Sequence, residues 1–164
     1  MRHLAVALVA ACNGAPAATL RNTATSQPEQ DPRRELTAEE LTPVELHATH
    51  DDIKRRLAGH WIGRAYDPRS HRATPVLMRL ELGADGRFAK SIERPPQEPC
   101  EVAGRWRLEA QTPELVEIVL QYERHCAVEH TTYSYAATIL RLEDTLFVFE
   151  IGPTGGLEGY RRDR

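Results

Sequence analysis

Short segments in which apolar and polar residues alternate with period two, joined by brief turns, constrain this chain more than any other feature. Val76, Met78, Leu80 and Leu82 alternate with Leu77, Arg79 and Glu81, and Val102, Gly104, Trp106 and Leu108 share one side of 101–109. Period two is the spacing of side chains on one face of a strand. Asp85-Gly86 and Glu143-Asp144 supply hairpin turns. The pattern predicts eight strands, near 61–67, 75–82, 87–93, 101–109, 115–124, 132–142, 145–151 and 157–162. Connections are short and carry no helix, so neighbours should be antiparallel. Closure removes exposed strand edges, so the expected fold is mainly β, an up-and-down barrel preceded by one or two short helices.

The helical signals lie between about 38 and 58. Thr37 with Glu40, and Thr42 with Glu45 and Pro43, each fit a capping box. Leu46, Ile53 and Leu57 fall on one helical face, Thr49 is placed to restart a second piece with Asp52 at its third position, and Gly59 suits a C-terminal cap.

Upstream of the helices the texture differs. Arg2 gives a basic start, Leu4 to Ala11 is apolar, and small residues follow. Eight helical residues reach only about 12 Å, too short for a bilayer, so this reads as a secretory leader. Val9-Ala10-Ala11-Cys12 resembles a bacterial lipobox. That resemblance implies a leader over 1–11, lipidation of Cys12 and a membrane anchor. Asn13, which is not Asp, then implies export to the outer membrane, facing the periplasm or the surface. Ala15-Pro16-Ala17 offers an alternative cut that would free a periplasmic protein. Residues 12–35 hold three prolines and one large apolar residue, Leu20, and read as a disordered tether with a reach of about 25 Å. Residues 36–164 form the folded domain.

The chain has three cysteines. With Cys12 acylated, Cys100 and Cys126 remain as a pair in an oxidising compartment. A hairpin about Thr112-Pro113 sets residues opposite each other whose numbers sum to about 226, as 100 and 126 do. The same register puts Trp106 opposite Leu120, Leu108 opposite Ile118 and Gly104 opposite Tyr122, all on one apolar face. The bridge would contribute roughly 3.5 kcal/mol in a chain-entropy account.

Gly59-His60-Trp61 opens the first strand after a short helix, and the last strand carries Tyr160-Arg161-Arg162. This is similar to the lipocalin-like superfamily of small bacterial barrels. The resemblance implies that Trp61 closes the barrel's base and that Arg161 or Arg162 packs across its ring. The chain is shorter than the larger secreted members and lacks their C-terminal helix.

Chemistry is sparse. The net charge of −3 offers no basic excess for a nucleic-acid backbone. His47, His50, Asp51 and Asp52 share a short stretch but bring no third ligand by spacing, and His125, Glu129 and His130 are weaker still, so no metal and no other cofactor is expected. No G-x-S-x-G, H-E-x-x-H or phosphate-binding loop occurs, and no enzyme is expected. With Trp106 inward, Val116, Ile118, Leu120, Tyr122 and Arg124 turn inward too, and Tyr122 and Arg124 become polar handles near one mouth. Lys90 falls on the Phe88–Ile92 face, either reaching past the rim or meeting a ligand. In the 132–151 hairpin the more apolar face holds Ala136, Thr138, Leu140, Phe147 and Phe149, leaving Tyr135, Arg141 and Glu150 outside. The expected role is non-covalent binding of a small apolar or amphipathic molecule in the barrel. The alternative is a filled barrel that binds an envelope protein, as an assembly factor or inhibitor.

Overall fold

The computed structural model describes residues 31–110, 112, 115–125, 128–152 and 156–163, with the backbone alone where residues between 124 and 133 are concerned. The leader, Cys12, Asn13, the tether to residue 30, and Cys126 lie outside the described residues.

Two short helices, α1 (Ala38–Leu41) and α2 (His50–Leu57), precede eight strands. These are β1 (Gly59–Tyr66), β2 (Ala73–Leu82), β3 (Arg87–Glu93), β4 (Cys100–Ala110), β5 (Val116–His125), β6 (Val128–Leu142), β7 (Leu146–Ile151) and β8 (Gly156–Arg162). Each strand pairs with the next, and β8 returns to β1, so the sheet is a closed antiparallel barrel. The closing ladder sets Trp61 opposite Arg162, Gly63 opposite Tyr160 and Tyr66 opposite Leu157.

Both helices start where their caps place them. Thr37 and Glu40 form a reciprocal capping box, and the Thr49 hydroxyl accepts from the Asp52 N–H. Thr42 does not begin a helix. It is the C-cap of α1, and its hydroxyl donates to the Ala38 carbonyl. Residues 43–49 are an extended link, so Leu46 packs on the core without belonging to a helix.

The β4–β5 ladder keeps a sum of 226 from Gly104–Tyr122 to Ala110–Val116. A bulge between Ala103 and Gly104 then shifts it by one, so that Val102 faces His125.

One strand face differs from the one that the alternation predicts. In β6 it is Tyr135, Ala137 and Ile139 that pack on the interior, while Leu140 joins a separate outer cluster. The cause is twofold. A register shift between Ile139 and Arg141 brings Leu142 back inward opposite Phe147, and the outside of the β6–β8 region is covered as well. A strand apolar on both faces gives no clean period-two signal.

The outer cover is the stretch 36–41. Leu36 and Leu41 bury themselves against Tyr66, Leu146, Val148 and Leu157. The Leu36 N–H donates to the Tyr66 hydroxyl (2.8 Å), and Arg161 reaches Glu40 at 2.5 Å. Gly159 lies beneath, where a Cβ would collide with the Leu36 side chain. Inside, the barrel is packed with aromatic rings: Phe147 stacks on Tyr160 (4.8 Å between centroids) and meets Trp61 edge-on (4.7 Å).

Candidate functional site

The barrel has two distinct ends. At one, α2 lies across the opening: Ile53 and Leu57 join the interior cluster, and the Trp61 indole N–H donates to the Leu57 carbonyl (2.8 Å). Arg162 locks this end. Its guanidinium lies 4.2 Å from the Trp61 ring centroid and donates to the carbonyls of Ala58 (3.0 Å), Asp144 (2.8 Å) and Arg56. Two of these acceptors belong to the unsatisfied C-terminal carbonyls that every helix leaves, where a cation is favoured. Burial lowers the Arg162 pKa and the nearby Asp144 carboxylate partly offsets that. Gly59 makes the arrangement possible. Its φ is +140°, and a Cβ there would stand 2.5 Å from the Arg162 Nη1. Of the two candidate arginines, then, Arg162 meets Trp61, and Arg161 faces outward to Glu40.

The other end is formed by the last residues of β1, β3, β5 and β7 and the first residues of the strands that follow them. Below it sits a charged group inside an otherwise apolar barrel. Lys90, 3% exposed, donates to both oxygens of Glu158, 8% exposed, at 2.9 and 2.8 Å. The Tyr160 hydroxyl donates to the same carboxylate at 2.6 Å and lies 3.6 Å from the Met78 sulfur. Burial, and then the adjacent carboxylate, push the Tyr160 phenol well above the ordinary tyrosine range, so it stays a protonated donor. The strands fix these positions: Lys90 shares an inward face with Phe88, and Glu158 precedes Tyr160 and Arg162 at period two on β8.

Around this group toward that end lie Ala65, Val76, Ile92, Cys100, Tyr135 and Ile151, apolar side chains that are only half-buried. The described loops above carry Pro68, Pro95, Pro96 and Pro99. Fixed φ angles reduce the entropy a loop loses when it meets a ligand.

Tyr122 is buried, with its ring 5.3 Å from Phe88 and 5.5 Å from Tyr135. For Arg124 the backbone is described, opposite Ala103 and Glu129, and the side chain lies outside the described atoms. Lys90 turns inward as its face required, whereas Glu158 escaped the sequence reading. The signal for it was the shared parity with Tyr160 and Arg162.

A hollow of about 190 Å³ lies at the β1–β3 wall, lined by His60, Arg79, Glu81, Ser91 and Glu101 among others. Its walls mix polar and apolar groups, with Leu80 and Ala89 among them, and Arg79 is paired with Glu93 at 3.2 Å. Among the described residues no three His, Cys, Asp or Glu side chains gather as metal ligands. His47 stands exposed beside Glu45 (3.5 Å), and Asp52 is held by Thr49 and Arg55. No helix of the described residues is long and apolar enough to cross a membrane.

Comparison with protein-family models, with curated proteins and with solved structures gives no match.

Proposed function

We propose that this chain is a lipid-anchored protein of the bacterial cell envelope whose lipocalin-like barrel binds a small apolar or amphipathic molecule at its open mouth. The observation that carries the binding role is the Lys90–Glu158–Tyr160 group beneath half-buried apolar side chains. A buried ion pair rarely stabilises a fold more than well-packed apolar residues of the same volume would. Its place at the edge of the packed interior, under side chains that keep exposed apolar surface, fits a site where one end of a ligand is apolar and the other polar. The chemistry is desolvation and hydrogen bonding without turnover.

The anchor is supported by Val9-Ala10-Ala11-Cys12, and outer-membrane placement by Asn13. Lipocalin-like kinship is supported by Gly59, Trp61 and the stacked Arg162. The bulge at Ala103 takes the ladder one step out of the register that sets Cys100 directly opposite Cys126, and a Cys100–Cys126 disulfide is supported only by nearness, since Val102, two residues after Cys100, faces His125, the residue before Cys126.

The filled interior favours the second reading, a protein-binding module. Trp61, Phe147 and Tyr160 are at most 1% exposed, so the inner end of the barrel has no room for a guest. In that reading the mouth loops meet an envelope protein, and the ion pair only fixes their base. Native mass spectrometry of the protein purified from its envelope tests the two. A retained small molecule lost on Lys90→Met supports binding at the mouth. An empty barrel that travels with a stoichiometric protein partner overturns it.

A further inference from the structure

We propose that the mouth selects an uncharged amphiphile, one whose polar end is a hydroxyl, ester or amide oxygen, over an acid or an amine of the same chain length. This rests on the binding role proposed above and adds the chemistry of the head group.

The charges at the base of the mouth cancel. Lys90 Nζ stands 2.9 and 2.8 Å from the two carboxylate oxygens of Glu158. An arriving carboxylate would gain Lys90 only by standing against Glu158, and an arriving ammonium would gain Glu158 only by standing against Lys90. In a partly desolvated site neither repulsion is well screened. An uncharged oxygen meets no such opposition. The ammonium of Lys90 carries three hydrogens, two of which go to Glu158, and among the described residues the third has no acceptor. A neutral acceptor oxygen completes its hydrogen bonding.

Glu158 is engaged three times, by Lys90 at both oxygens and by Tyr160 at one, so it is not poised to receive a strong cationic partner. The apolar body of the ligand would rest on Ala65, Val76, Ile92 and Ile151. Below the pair the rings of Phe147, Phe149 and Tyr160 close the interior, so the molecule lies in the mouth.

The test uses the full chain with Cys12→Ser, which keeps it off membranes, and titrates it at neutral pH with decanol, decanoic acid and decylamine by calorimetry. Decanol is expected to bind about tenfold or more tightly than either ionised analogue, the scale of discrimination that a polar site achieves against the wrong head group. Glu158→Gln leaves Lys90 without its counter-ion and should move the preference toward decanoic acid. Lys90→Met should move it toward decylamine. If either variant fails to fold by circular dichroism, the ranking on the Cys12→Ser chain alone decides. Decanoic acid or decylamine binding as tightly as decanol overturns the head-group selection while leaving the binding role intact. Binding of none of the three overturns the binding role itself.

Discussion

Arg162 holds its guanidinium 4.2 Å from the ring centroid of Trp61, and these two residues face each other across the ladder that closes the barrel. The same guanidinium donates to three carbonyls, in α2, in its C-cap and in the β6–β7 turn. Arg162→Ala should cost about 3 kcal/mol, from lost charge-assisted hydrogen bonds and the ring contact. Arg162→Lys should recover less than half of that, because a point charge cannot serve three acceptors in a plane. Urea unfolding followed by tryptophan fluorescence measures both, and equal stability of the lysine variant and the native chain would refute the fork geometry.

Gly59 should resist substitution for a different reason. Gly59→Ala forces a Cβ to within 2.5 Å of the Arg162 Nη1 at a φ of +140°. The arginine can retreat only by releasing the Ala58 carbonyl. A loss of about 2 kcal/mol or more is expected from the combined strain. In an Arg162→Ala background the penalty should shrink, a non-additivity that a double-mutant cycle reads directly.

Lys90→Met leaves the Glu158 carboxylate buried without its counter-ion. The expected cost is about 3–5 kcal/mol. Adding Glu158→Gln removes the charge but keeps an acceptor for the Tyr160 hydroxyl, and most of the loss should return. Thermal unfolding of the two variants checks this. If the double variant is no more stable than Lys90→Met, the defect comes from packing and not from an orphaned charge.

Acid should loosen the outer clasp before the barrel. Burial pushes the Glu40 carboxyl up, but the Thr37 N–H, Arg161 and Arg34 outweigh it and hold the net value below the ordinary 4.5. A carboxyl that titrates lower in the folded chain than in the unfolded one stabilises the fold fully above its unfolded pKa. That stabilisation is lost as pH falls through the folded value. The contribution is modest, since Glu40 is only partly removed from solvent. The stability gap between the native chain and Glu40→Gln should therefore narrow as pH falls below the ordinary 4.5. Exchange of the Leu36 amide should accelerate over the same range.

The barrel was legible because polar and apolar residues alternate cleanly wherever one strand face meets solvent. In β4, Val102, Trp106 and Leu108 are buried while Glu101, Arg105 and Arg107 are exposed, and the register of the partner strand followed from that. β6 was not legible, because Leu140 is drawn outward to a second apolar cluster that exists only once residues 36–41 have folded over the sheet. The polar group inside was half legible. Lys90 stands out as one of two lysines in the chain, on an apolar face. Glu158 lies within Leu157–Tyr160, where every residue is buried on one side or the other, so no local contrast marks it.

The stretch that leads from residue 31 into α1 crosses the seam where the barrel is sewn shut, gripping β1 through Tyr66 and β8 through Arg161. A pull arriving along the chain from its amino-terminal side is thus spent first on that grip, sideways across two neighbouring strands, and only afterwards on the ladder between them. The molecule carries its own strain relief on the outside of the seam, from the mouth edge at Tyr66 to Arg161 near the base.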